Sequence, residues 1–177
     1  MKILTHDASY TAEGVRLAPL GTGFALVVRW ANPTNQGPGK IEMFQLTADG
    51  GLTGTVQTLI TDQSRSDFVS GSQSPGVAHR TSDGALLVVW HQCDEAGSPN
   101  TCDVYGRMVR PNGTTSGPAF LIPTTTVGDQ TAPSAVALPD GSFAVAWNDQ
   151  SHTGADMSGY AVRARIIYPA YDPNGSN

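Results

Sequence analysis

The residues that could do chemistry gather in three polar stretches, each directly after a tryptophan. Asn32 and Asn35 follow Trp30. His91, Asp94 and Glu95 follow Trp90. Asn148, Asp149, His152 and Asp156 follow Trp147. Asp, Asn and backbone carbonyls are hard oxygen donors that suit a cation such as calcium, and the same groups suit sugar hydroxyls. No stretch has the alternating acids and terminal Glu of a dedicated calcium loop. Asx turns and plain solvation are the competing reading of the same residues. The expected chemistry is therefore recognition, with no cofactor required and calcium as the one ion the loops would suit.

Catalysis has little support. The chain lacks a Gly-x-Ser-x-Gly elbow and a His-Glu-x-x-His pair. The four histidines, His6, His79, His91 and His152, show no ligand spacing. A pair of carboxylates for glycoside hydrolysis is a spatial arrangement that spacing alone does not reveal. A glycan hydrolase thus stands third, behind a binding module and a self-assembling structural block. Arg107 and Arg165 occupy matching places in two segments, and pairing with loop acids is their expected role.

Cys93 and Cys102 flank DEAGSPNT between two strand-like runs. A disulfide across the base of that loop is the expected state. It would contribute about 2–3 kcal/mol for so short a loop and would place the chain in an oxidising compartment. Two free thiols are the alternative. A zinc site would need a second ligand pair.

The elements that position these loops repeat. Trp30, Trp90 and Trp147 each close an apolar run that begins after a glycine: Gly23-FALVVR-Trp30, Gly84-ALLVV-Trp90 and Gly141-SFAVA-Trp147. The first run is one residue longer, which suggests a bulge at Arg29. That regularity makes the three tryptophans structural anchors rather than stacking platforms for sugars. Each polar loop leads into another strand-like run (KIEMFQL, DVYGRMV, YAVRARII). Turn signals then follow at Ala48–Gly51, Pro111–Gly113 and Asp172–Gly175. A short fourth run follows twice, as Thr58–Thr61 and Phe120–Pro123. The third repeat has none, but Lys2–Thr5 at the other terminus has the same character. No stretch of ten or more residues has a helical period with caps.

The expectation is a single all-β domain over residues 1–177. Its repeats span roughly 6–61, 62–123 and 124–177, and strand 2–5 completes the last of them. Four antiparallel strands per repeat describe a β-propeller-like blade; a β-trefoil or β-prism is the alternative. Three blades close a ring poorly. A homo-oligomer is therefore expected, a dimer of about six blades or a portion of a larger ring.

The composition agrees with a turn-dense β protein. Charged residues make up 14%, against about 25% in typical domains. Glycine and proline, at 20 and 12 residues, supply the turns. The net charge is −5 without a basic cluster, which speaks against nucleic-acid binding. No apolar run reaches the length of a membrane-spanning helix, so no membrane insertion is expected. MKILTHDASY shows no signal peptide.

ALPDGSFAVAW, a Gly/Asp-bearing loop and SGYAVRARI together resemble the repeats of large bacterial secreted and surface proteins, including RTX-type adhesins. Their pattern is Leu-Pro-Asp-Gly-Gly-Phe-Val-Val-x-Trp, a Gly/Asp/Ser loop, then a strand with Gln-Arg-Phe. The second segment carries it as SDGALLVVW, DVYGRMV and PNG, and the first only faintly. Gly106-Arg107-Met108 and Ala164-Arg165-Ile166 stand where Gln-Arg-Phe would be, and the Gly-Gly-x-Gly-x-Asp calcium nonapeptide is absent. The resemblance implies an extracellular or cell-surface repeat module. Together with the variable loops it points to a non-catalytic, lectin-like domain whose partner is a glycan or other surface ligand.

Overall fold

The computed structural model describes residues 10–31, 39–61, 75–94, 101–153 and 159–168. The chain is all-β. Eleven strands among the described residues form three separate antiparallel sheets, and none closes into a barrel. The first sheet holds β1 (Thr11–Leu20), β2 (Gly23–Ala31), β3 (Lys40–Leu46) and β4 (Leu52–Thr61), paired in sequence order. The second holds β5 (Gly76–His79), β6 (Leu86–Asp94), β7 (Thr101–Val109) and β8 (Thr115–Leu121), again in order. The third has β9 (Gln130–Ala137), β10 (Phe143–Asp149) and β11 (Ala161–Ile167), with β10 in the middle. The fourth strand expected at Lys2–Thr5 lies outside the described residues.

Sequential pairing follows from tight turns. Residues 47–51, 110–114 and 138–142 share one hydrogen-bond pattern, in which the fourth residue's N–H donates to the first residue's carbonyl and the first N–H to the fifth carbonyl. The fourth residue is Gly50, Gly113 or Gly141, each with φ between 82° and 85°. An L side chain rarely adopts that left-handed conformation, so glycine closes the hairpin at least cost.

Strand alternation gives each sheet two apolar faces. On β6, Leu86, Val88 and Trp90 face the first sheet and pack with Ala25, Val27, Ile41, Met43 and Leu59. Leu87 and Val89 face the third sheet and pack with Phe143, Val145 and Trp147. The second sheet is thus sandwiched, and its central strand is buried on both sides. Trp30 lies on the first sheet's outer face with Val28, Phe44 and Leu46. All three tryptophans are buried, at 6% exposure or less.

Two expectations are corrected in detail. The bulge lies on β1, where Glu13 is the extra residue between Ala12 and Gly14, while Arg29 stays in regular register. The extra residue there carries a carboxylate to within 3.5 Å of the Arg29 guanidinium. The arginines at matching places do not bind loop acids. Arg107 Nη1 donates to the Leu59 carbonyl of β4 at 2.5 Å, and Arg165 Nη1 to the Ile122 carbonyl beyond β8 at 2.7 Å. Each arginine faces the preceding sheet, where a backbone carbonyl is the acceptor within reach. The result is one intersheet latch used twice.

Backbone proximity is tight at the start of β2. A Cβ on Gly23 would run into the carbonyl oxygen of Leu46 on β3. Gly23→Ala should therefore cost about 1–3 kcal/mol through forced strand separation. A urea-unfolding midpoint equal to that of the wild type would exclude this.

Candidate functional site

The hairpin turns lie at one end of each sheet, so the post-tryptophan loops leave from the other. Contacts between sheets keep the ends aligned. At the turn end, Gln45 Nε2 donates to the Asn112 carbonyl at 2.9 Å and Arg80 Nη1 to the Gly141 carbonyl at 2.9 Å. At the loop end, the Cys102 N–H donates to Asp129 Oδ1 at 3.1 Å. The strands that carry the three loops consequently end on one rim.

Among the sequence-selected residues, Asn32, Asn35, Glu95, Asp156 and the side chain of Asp94 lie outside the described residues. Of the other four, only His152 lies in a loop: His91 is within β6, and Asn148 and Asp149 are the last residues of β10, because these strands run on past their tryptophans. Asn148 and His152 are exposed, His91 is half-buried and Asp149 is buried. Cys93 and Cys102 are directly paired across β6 and β7 and form the disulfide.

Asp149 is the centre of the third rim segment. Its Oδ2 accepts from Ser151 Oγ at 2.7 Å and from Arg163 Nε at 2.5 Å. Arg163 Nη2 also donates to the Thr153 carbonyl and hydroxyl, both at 2.6 Å. Burial raises the Asp149 pKa, but hydrogen bonds from Ser151, Gln130 and Arg163, with the Arg163 charge, outweigh it and leave a lowered value. The carboxylate is thus charged and saturated with donors, and its work is to hold the backbone of residues 149–153. His152 sits on that held segment with φ 52°, a conformation uncommon for a non-glycine residue.

Trp147 is fixed in the same network. On β9 the register slips opposite it, and Ala132 takes φ 53° in the resulting bulge. Gln130, fully buried, then accepts a hydrogen bond from Trp147 Nε1 at 2.7 Å. Burying an indole N–H without an acceptor would be costly, and the bulge supplies one.

A second polar group draws on all three sheets. Glu13 and buried Arg29 come from the first sheet, His91 from the second, and Asp129 precedes β9 of the third. Burial, then the charge of Arg29, push the His91 imidazole down to about 4, against an opposing pull from Asp129. His91 is therefore neutral at pH 7. Among the described residues no three His, Cys, Asp or Glu side chains gather as a metal site.

Spacing alone does not mark Gln130, Ser151, Thr153, Arg163, Glu13 or Asp129, and it marks Arg29 only as a bulge. Two carried a signal: Arg29 and Arg163 interrupt apolar runs, and a charge inside such a run needs a partner. No family model, curated protein or solved structure matched the chain.

Proposed function

We propose that the chain is a non-catalytic, lectin-like binding module of propeller-like architecture, acting outside the cell or at its surface through the rim of post-tryptophan loops. The observation that carries this reading is the Asp149–Ser151–Thr153–Arg163 network. It uses buried charge to hold a short surface segment, residues 149–153, in which His152 and Thr153 are exposed, next to exposed Asn148. A loop that only connected strands would need no such brace. Loops held on a rigid β scaffold are a common seat of binding, and pre-ordering them lowers the entropic cost of holding a ligand.

The chemistry of the rim favours a neutral polyhydroxyl ligand. The described groups are an amide, an imidazole and backbone carbonyls, and Arg163 is already engaged by Asp149. The disulfide suits an oxidising compartment. Propeller-like architecture is supported by the sequential strand order in each sheet and by the succession of first strands, β1 against β5 and β5 against β9. A β-trefoil would join its repeats in a common barrel.

Screening the chain on a glycan array, with and without calcium, tests the function. A hit should weaken about tenfold on Asn148→Ala or His152→Ala, the loss of one or two good hydrogen bonds. An array without hits in either condition would sink the reading, and so would a hit indifferent to both substitutions.

A further inference from the structure

We infer that the outer face of the third sheet docks on the outer face of the first sheet of a second copy of this chain, head to tail, so that two chains close one ring of six sheets. The inference goes beyond ligand binding and holds whatever the rim recognises.

The chain makes the same kind of junction twice. In each, the tryptophan-bearing face of one sheet packs on the opposite face of the sheet before it: Trp90 against the first sheet, Trp147 against the second. In each, the first strands also meet. Val77 of β5 joins the cluster of Ala18 and Leu20 on β1, and Ala135 and Ala137 of β9 join that of Ala78 on β5.

The two outer faces are the unfinished ends of this series. On the third sheet, Val136 of β9, Ala144 of β10 and Ile166 of β11 form one row across the three strands. Ala144 stands three residues before its tryptophan, as Val27 and Leu87 do, and those two are completely buried in the internal junctions. Val136 and Val162 of the third sheet are instead 56% and 76% exposed. The first sheet presents the complementary end. Leu17 of β1 lies opposite Leu26 on the Trp30 face and is 63% exposed. Val15 and Leu52 on that face are about half exposed as well. Thus the open row on one end reaches β9, the open face on the other includes β1, and first strands are what meet in the two existing junctions. Exposed apolar rows of this kind are uncommon on a monomer.

A second copy fits better than a self-matching contact of like faces. The series joins unlike faces, and an interface between unlike faces closes only when the rotation completes a ring. The junction between copies would differ from the internal ones in one respect. Where Arg107 and Arg165 latch onto a carbonyl, the first sheet has Glu42, paired with Lys40 at 2.8 Å. Without the arginine latch, the contact rests on apolar area and should yield to a single introduced charge.

Light scattering on the purified full chain tests this, together with Leu17→Glu and Val136→Glu, both at exposed positions whose folding is checked by circular dichroism. The wild type should have twice the 18.5 kDa mass of one chain. Each variant alone should be monomeric, since a closed pair uses each face twice. Mixing the two variants should restore a dimer, because one of its two junctions is then wild type on both sides. A monomeric wild type overturns the inference. So does a folded variant that remains fully dimeric, or a mixture that stays monomeric.

Discussion

Replacing Asp149 with alanine should lower stability by about 2–4 kcal/mol. The side chain is 1% exposed and pairs with Arg163, which is 32% exposed. Breaking a fully buried pair costs about 3–5 kcal/mol because the surviving charge is stranded. Arg163 can turn partly to water, which trims the figure. Ser151 loses its acceptor as well, and the hold on residues 149–153 goes with it. Asp149→Asn keeps the shape and loses the charge, so it should cost less than alanine. Denaturation followed by tryptophan fluorescence measures both. An alanine variant within about 0.5 kcal/mol of the wild type, the usual range for inconsequential surface changes, would show that the network braces nothing.

The same pair predicts an acid limb. The folded Asp149 pKa lies below the ordinary 3.8. The unfolded chain therefore binds the proton first as pH falls. The Asp149 contribution is whole above about pH 4 and disappears as pH drops through the folded value. Asp149→Asn should remove that part of the acid loss and leave stability changes above pH 4 unaltered.

Much of this scaffold can be read from local chemistry. Gly50, Gly113 and Gly141 mark turns because only glycine accepts the required φ freely. The recurrent Trp30, Trp90 and Trp147 mark strands because each closes an apolar run, although β6 continues past Trp90 to Asp94. Cys93 and Cys102 are near in sequence and meet across one hairpin. The site was less legible because its bonds cross strands. Gln130 reaches Trp147, and Arg163 reaches Asp149, only after three strands have taken register and β9 has bulged. Arg107 and Arg165 illustrate the same limit: their acceptors are main-chain carbonyls, which no residue type announces. Asp149 looks in sequence like any loop acid available to a ligand. In the fold its oxygens are occupied by its own scaffold, while its neighbours Asn148 and His152 are exposed.

Acidifying from pH 7 to pH 4 should destabilise the chain by about 3 kcal/mol through His91 alone. Its pKa falls from 6.5 to about 4 on folding. Above pH 6.5 the ring is neutral in both states and its contribution does not change. Between 6.5 and 4 the unfolded chain takes up a proton that the folded chain refuses, so stability drops by about 1.4 kcal/mol per pH unit. Below 4 both states are protonated and the loss is complete. The cause is local: burial of the ring comes first and the charge of Arg29 second, and Asp129 offsets only part of them. Glu13 pairs with Arg29 at 3.5 Å and tempers its charge, so Glu13→Gln should push the His91 pKa lower still. His91→Gln should flatten the stability curve between pH 6.5 and 4 while leaving the Asp149 limb below it. Titration of the His91 ring protons by NMR gives the pKa directly. A value near 6.5, or an unchanged slope in His91→Gln, would place the acid sensitivity elsewhere. The same neutral ring bears on recognition. If the proposed rim binds a ligand, His91 at pH 7 offers an uncharged donor and acceptor, which suits hydroxyls better than carboxylates. Glycan binding that persists unchanged through pH 5 would agree with a His91 that stays neutral there.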